Sequence, residues 1–500
     1  MLEPVRPLLE SLRSLSVTPA TVLKALAALA ALAMVGYRFA NFDLVSFIND
    51  EPIFLTAAGN QLQTGQWLSA SPIQGTQGTT YGPTVFWFYG VVHLLFGPAP
   101  QTSILLMCTL LTLAHVAFAL GVTRLFRGDA LLFAAVLALV ASSPYQFFWS
   151  RLAWDQMVNV CASFMVVLLC LPGPMGRMRQ RLLGLAMGFA LSSHLMVLPL
   201  VALTLAVLSL EHLRRPREWV RTLLPVLGVA LVVNLPYLTF LLARPPSPPP
   251  APGGFSLAVL GEQLLQPARV ATPWGLGYFF DHTWVDFLQW VGGTGRWLLQ
   301  HTGWGVAVLV AVSTVGLMLT VRAREPEQRR LALLGLAVWL GYAGFYTLRG
   351  LNREPHYQFP SWWVVAVGVA GALHALHTRR PRWGTVATAL VLGAAGVQFL
   401  TNVAWMGYVR QRGGTKGVHY STPLAAQQEI IRRVCQESPS PVSLENYTVL
   451  FPHSLSYVAK TTPACQNVAL SICGPWGCPQ GASLRRLRYA DPVGGALVLE

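Results

Sequence analysis

Apolar residues along this chain fall in long, nearly unbroken runs rather than at the spacing of a surface helix. The runs lie near residues 22–40, 83–97, 102–123, 129–148, 155–172, 182–210, 219–243, 302–322, 331–348, 358–377 and 384–408. About 18 or more apolar residues suffice to cross a bilayer as a helix. A helix also satisfies all its own backbone groups inside hydrocarbon. The pattern therefore predicts an all-α polytopic membrane protein.

Basic clusters between the runs assign sides: Arg124/Arg127, Arg177/Arg179/Arg181, Arg214/Arg215/Arg217, Arg322/Arg324/Arg329/Arg330 and Arg379/Arg380/Arg382. If every run simply spanned, these clusters would fall on opposite faces, whereas Lys and Arg gather in cytoplasmic loops. Two features restore the rule. The run between Pro83 and Gly97 gives at most about 22 Å of helix at 1.5 Å per residue, short of the roughly 30 Å of hydrocarbon. It reads as an interfacial or re-entrant helix. The long run 182–210 is interrupted at Ser192–Ser193–His194, which reads as two short spans meeting outside. About eleven transmembrane helices result, with residues 1–21 as a cytoplasmic N-terminus. Residues 22–408 form the transmembrane part, including a first external loop at 41–101 with interfacial helices and a long external loop at 244–300. A small extracytoplasmic domain follows at 409–500.

Composition agrees with this class. The chain is 53% hydrophobic and 11% charged, against about 25% charged in soluble domains, and its mean hydropathy is +0.49. The formal charge of +15 is what Arg-rich cytoplasmic loops produce, so no nucleic-acid partner is expected. Residues 1–20 lack a compact apolar core with a small-residue cleavage site, so the first span is expected to act as an uncleaved signal. Cys435, Cys465, Cys473 and Cys478 all fall beyond residue 409. An even number in an oxidising compartment predicts up to two disulfides, with three possible pairings. A zinc site using Cys473 and Cys478 is the rival reading. Cys108, Cys161 and Cys170 lie in spans and read as packing residues.

The threading gathers ionisable residues outside. Asp50 and Glu51 follow the first span in a loop with no Lys or Arg. Arg151 and Asp155 lie in "WSRLAWDQ" at 149–156; Arg349, Arg353, Glu354 and His356 surround "RGLNREPHYQFP" at 349–360; His194 tops the short hairpin. Moving a group from a phosphate carrier to a hydroxyl needs a carboxylate to take the hydroxyl proton, cations or donors for the phosphate, and alignment of the two. Each residue also has a structural reading. Asp50 before Pro52 suits a helix N-cap, Asp155 could cap the next span, and Arg353 and His356 could anchor at headgroup level beside Trp362 and Trp363. His115 and His93, within apolar runs, read as packing histidines.

In order and spacing, the chain resembles the GT-C class of membrane glycosyltransferases, particularly the branch of protein O-mannosyltransferases and the lipid A aminoarabinose transferase. The carriers are "DEPIFLTAAGNQLQTGQW", with the acidic pair, the Gly65–Trp67 step, the aromatic run Pro83–Trp87 and Phe96–Gly97, then "SRLAWDQ", "LLGLAMGFALSSHLMVLPL" and "REPHYQFPSWW". The resemblance implies an inverting transfer of a sugar from a polyprenyl-phosphate donor to an acceptor hydroxyl, on the extracytoplasmic side of a bacterial-type inner membrane. The acceptor would be a glycan, lipid or protein. Asp50 is then the expected general base, with Glu51 supporting it. Arg151, Arg353 and His356 are expected at the donor phosphate, with Asp155, Tyr81, His194 and Tyr357 supporting. A divalent metal, if one binds, is expected at Asp50 and Asp155. Where this branch often has Lys-Pro-Pro or an acid, the chain has Tyr81–Gly82–Pro83, so contacts made there in relatives must come from elsewhere. A lipid or solute transporter or flippase is the alternative, but it should carry ionisable groups mid-span and related halves. Here the acids gather at outer ends.

Overall fold

The computed structural model describes residues 18–48, 50–73, 80–170, 176–212, 215–244, 255–273, 282–350, 355–415, 420–446, 452–473, 478, 480–490 and 495–500. Its membrane part is all helix: α1 Pro19–Gly36, α2 Glu51–Thr64, α3 Thr84–Phe96, α4 Pro100–Leu125, α5 Ala130–Ser142, α6 Pro144–Trp149, α7 Asp155–Cys170, α8 Arg177–Ser193, α9 Leu198–His212, α10 Pro216–Ala243, α11 Leu257–Val270, α12 His282–Val291, α13 Gly293–Gln300, α14 Thr302–Val321, α15 Pro326–Arg349, α16 Trp363–Arg379 and α17 Pro381–Arg412. Several open on proline, whose missing N–H costs nothing at that position. Others are capped by side chains. Thr18 accepts from the Thr21 N–H at 3.2 Å, and Asp129 accepts from Leu131 at 3.0 Å while pairing with Lys24 at 2.6 Å.

Among the described residues six stretches are long and apolar enough to cross a membrane: Thr21–Phe39, α4, α10, α14, α15 and α17. A seventh is the pair Pro355–Ser361 and α16, bent by 51°. The protein is thus multi-pass. The other predicted spans are shorter helices. Most distinctly, the run 129–148 is two helices rather than one, because Ser143 at φ −49°, ψ 117° breaks it before Pro144. The residue before a proline is biased away from helical geometry. The run 182–210 breaks around His194, between α8 and a short 3-10 turn, and the 83–97 run is the 13-residue α3. Tight crossings use small residues. A Cβ added to Gly316 of α14 would lie 1.8 Å from the Gly368 carbonyl oxygen of α16, so these backbones touch as membrane helices do at small-residue interfaces.

The C-terminal segment is an α/β unit that the sequence reading had not resolved. Helices α18 Leu424–Glu437 and α19 Pro452–Thr461 accompany strands β1 Val442–Asn446, β2 Leu470–Cys473, β3 Ser483–Tyr489 and β4 Leu497–Leu499. The sheet order is β2-β1-β3-β4, with β1 parallel to both neighbours and β4 antiparallel to β3. The four cysteines form two disulfides, Cys435–Cys465 and Cys473–Cys478, which selects one pairing and removes the zinc reading. This unit sits on the segment that follows the first span. Ser46 donates to the Tyr420 carbonyl at 2.7 Å, Leu424 N–H to the Val45 carbonyl at 2.8 Å, Gln427 to the Phe47 carbonyl at 3.1 Å, and Tyr457 to the Pro98 carbonyl at 2.6 Å.

Candidate active site

The segment leaving the first span reaches α2 through Val45–Ile48, the stretch gripped by the C-terminal unit. Asp50 is the N-cap residue of α2, but its carboxylate makes no capping bond. Oδ2 instead accepts from the Trp154 indole N–H at 3.2 Å. The side chain is therefore held from one side and still partly exposed. Burial raises its pKa above the usual carboxylate range, opposed by the indole donor. Glu51, 3% exposed, accepts from the Ile48 N–H at 2.8 Å. Burial pushes its pKa well up, with the charge of Asp50 adding to the effect. Asp155 opens α7, is 4% exposed and accepts from the Gln156 N–H at 2.7 Å. Its charge and that of Asp50 interact. Tyr89 of α3 lies beside Glu51 and Asp155, with its hydroxyl 3.5 Å from the Trp154 carbonyl. Three carboxyl groups from two distant loops thus share one corner.

An aromatic wall leads away from Asp50. The Trp154 ring stacks on Trp149 at 4.3 Å and 11°, and Trp149 stacks on His356 at 4.9 Å and 29°. Beyond His356 comes Tyr357, whose ring lies 5.9 Å from His194, and His194 stacks on Tyr81 at 4.4 Å. Four residues predicted separately, Tyr81, His194, His356 and Tyr357, therefore join Asp50 in one continuous set. His194 accepts from the Met196 N–H through Nδ1 at 3.0 Å, and burial lowers its pKa to about 3, so it stays neutral. Its loop is pinned by Asn159, whose amide donates to the carbonyls of Ala190 and His194 and to Ser193 Oγ at 2.8, 3.1 and 3.1 Å. Gly82 is required nearby, because a Cβ there would lie 2.2 Å from Ser192 Oγ.

Arg151, expected at the donor phosphate, is buried. Its guanidinium is 2% exposed and turned towards the loop after the first span. It donates to the Asn41 carbonyl at 2.5 Å and lies over the Phe147 and Phe42 rings at 5.0 and 5.9 Å. It makes no ion pair with Asp50. Arg353 and Glu354 lie outside the described residues. Arg349 ends α15 exposed. Among the described residues no group of three or more His, Cys, Asp or Glu side chains is placed to hold a metal ion. The sequence reading missed Trp149, Trp154, Tyr89 and Asn159. Two tryptophans five residues apart bracketing the Arg151 loop were the available signal.

An open apolar groove of about 690 Å³ runs between α14, α16 and α17. Its walls include Val312, Leu319, Leu373 and Leu390, and its polar members include Arg379 and Gln398.

No family model matches the chain, and no curated protein matches it. Solved structures do. ArnT from Cupriavidus metallidurans bound to undecaprenyl phosphate superposes at TM-score 0.52 and 15% identity over 89% of this chain and 85% of its own. The apo state of the same protein gives 0.51 and 16% over 88% and 85%. The arabinofuranosyltransferase AftD from Mycobacteria reaches 0.45 at 14% identity over 90% of this chain and 32% of its own, too low to argue from. Sequence order, helix arrangement and superposition agree that this chain has the fold of the GT-C class of membrane glycosyltransferases.

Proposed function

We propose that the protein transfers a sugar from a polyprenyl-phosphate carrier to an acceptor hydroxyl on the extracytoplasmic face, with inversion at the anomeric carbon. The observation that carries this is Asp50, a carboxylate held by one indole donor, left free of capping, and set at the edge of an aromatic wall. Asp50 takes the proton of the acceptor hydroxyl as its oxygen attacks the anomeric carbon. The bond from that carbon to the phosphate oxygen breaks, and the polyprenyl phosphate leaves with the electron pair. The raised pKa improves Asp50 as a proton acceptor. Glu51, buried and bonded to the Ile48 N–H, fixes the turn that aims Asp50, and Asp155 shapes the field behind it. The stacked Trp149 and Trp154 rings are flat apolar surfaces of the kind a sugar ring packs against. His356, and Arg353 three positions before it in the sequence, remain our assignments for the donor phosphate. Arg151 acts through its loop.

The fold likeness to ArnT, solved with undecaprenyl phosphate, supports a long lipid donor. The apolar groove between α14, α16 and α17 suits such a chain. We assign the active site and residues 409–500 to the outside of a plasma-type membrane, with the N-terminus and Arg-rich loops inside.

The test is transfer of radiolabelled sugar from a panel of polyprenyl-phosphate sugars in proteoliposomes, comparing wild type with Asp50→Asn. Transfer that Asp50→Asn abolishes in a folded protein supports both donor class and base. Transfer surviving in Asp50→Asn moves the base elsewhere. No transfer from any donor, with lipid scrambling instead, would sink the transferase reading.

A further inference from the structure

Arg38 is a charge where a membrane protein can least tolerate one. It lies at the end of the first span, 0% exposed, and no carboxylate among the described residues pairs with it. Intramembrane ionisable groups are costly and tend to serve function, so what this one touches is informative. One nitrogen, Nη1, lies 2.6 Å from His115 Nδ1. A guanidinium cannot accept, so His115 accepts there and is neutral with its proton on Nε2. The other, Nη2, donates to the carbonyls of Val140 and Ala141 at 3.2 and 3.4 Å.

Those carbonyls belong to the last turn of α5, and the sequence explains why they need a donor. In an unbroken helix Val140 would receive the N–H of residue 144, but that residue is Pro144 and has none. Ala141 would receive Tyr145, beyond the break at Ser143. Ser142 would receive Gln146, whose N–H is taken by Ser143 Oγ at 3.2 Å. Asn402 of the last long helix supplies Ser142 instead, donating at 3.0 Å. Arg38 from the first span and Asn402 from the last thus close three consecutive open carbonyls. The negative end of the α5 dipole also offsets the cation without a carboxylate. The short helix after the break, α6, ends in Trp149, which stacks on the Trp154 ring that holds Asp50.

We infer that Arg38 is a positioning residue for the reaction: by capping the broken end of α5 it sets the angle of α6, and through Trp149 and Trp154 it fixes the Asp50 carboxylate. This rests on the proposed transfer for its kinetic consequence, but its structural half stands separately. Displacing a reacting group by about 1 Å can cost a hundredfold, so a scaffold contact of this kind is read in turnover rather than in donor binding.

The experiment compares Arg38→Met, Arg38→Lys and Asn402→Leu with Leu111→Ala, a cavity variant in the neighbouring α4 core. Each is assayed for kcat, donor KM, thermal midpoint, and the near-ultraviolet dichroism of the Trp149–Trp154 stack, defined as the band lost in Trp149→Phe. Arg38→Met is expected to lose that band and about 10- to 100-fold in kcat with donor KM nearly unchanged. Asn402→Leu should follow in the same direction more weakly. Arg38→Lys, keeping one donor and the charge, should recover part of both signals. Leu111→Ala should lower the thermal midpoint while keeping kcat and the band below unfolding. Retention of the band and kcat in Arg38→Met, or equal loss in Leu111→Ala, overturns the inference. If wild type transfers no sugar, the functional proposal falls, and the dichroism band alone decides whether Arg38 positions Trp149.

Discussion

The carboxylates of Asp50, Glu51 and Asp155 and the guanidiniums of Arg38 and Arg151 are all withdrawn from water, yet they are treated oppositely. Each arginine meets main-chain carbonyls: Arg38 those of Val140 and Ala141, Arg151 that of Asn41. Aromatic faces or a neutral histidine complete their surroundings. The acids accept from an indole or from main-chain N–H groups, crowd one another, and hold raised proton affinity at Asp50 and Glu51. A cation spread over carbonyls and ring faces is held in place, whereas acids crowded together raise one another's proton affinity.

The largest effect that would break this contrast is at Asp50. Asp50→Asn should lose about 10²- to 10⁴-fold in transfer. Its thermal midpoint at neutral pH should nonetheless rise. The folded protein holds the Asp50 proton more tightly than the unfolded chain, so stability is highest in acid and falls as pH rises past the ordinary carboxylate range. The amide escapes that loss. A fall in midpoint at neutral pH would mean that the acid is structurally satisfied after all.

Next comes the indole donor. Trp154→Phe keeps the stacking face but removes the N–H to Asp50, and should cost about 10-fold in kcat. Since that bond lowers the Asp50 pKa, the acid limb of the rate profile should move to higher pH. An unmoved limb would separate Asp50 from the base.

Arg151→Met sharpens the other side of the comparison. It should cost about 2 kcal/mol of stability in denaturant titrations, from lost cation–π and carbonyl contacts, while donor KM stays near the wild-type value. A large rise in KM with stability intact would return Arg151 to the phosphate. The smallest effect is at His93, 6% exposed in α3, whose two ring nitrogens lack hydrogen-bond partners. Burial lowers its pKa from 6.5 to about 4. The folded imidazole refuses a proton that the unfolded one takes, so stability is lost as pH falls from 6.5 towards 4. His93→Gln should flatten the melting temperature across that interval by several degrees.

Much of the scaffold is legible in the sequence because long apolar runs have few alternatives in hydrocarbon. The break at His194 is legible too, as a polar triplet inside a run. The break at Ser143 is harder, since "SSPYQFFW" carries no charge and only small or isolated polar side chains, and Pro144 alone marks it. The acidic pair Asp50–Glu51 announces itself by its rarity in an acid-poor chain. The burial of Arg151 is illegible for a different reason: a position at the end of an apolar run says nothing of where a long side chain points. Trp154 is five residues from Trp149, yet only folding across a tight turn stacks them. The α/β arrangement of residues 420–500 depends on strands as short as three residues, below what periodicity can register.

The grip of the C-terminal unit on residues 45–47 joins partners separated by about 375 positions, as in Ser46 with Tyr420 or Gln427 with Phe47. A ribosome delivers the first of these long before the second, at roughly 5–20 residues per second. For tens of seconds the turn ahead of Asp50 lacks its outer half, and Cys435 and Cys465 are still to be made. The chain therefore carries its own order of commissioning. Insertion of the spans comes first, closure of the Cys435–Cys465 and Cys473–Cys478 disulfides and docking of the C-terminal unit follow, and the turn ahead of Asp50 settles last.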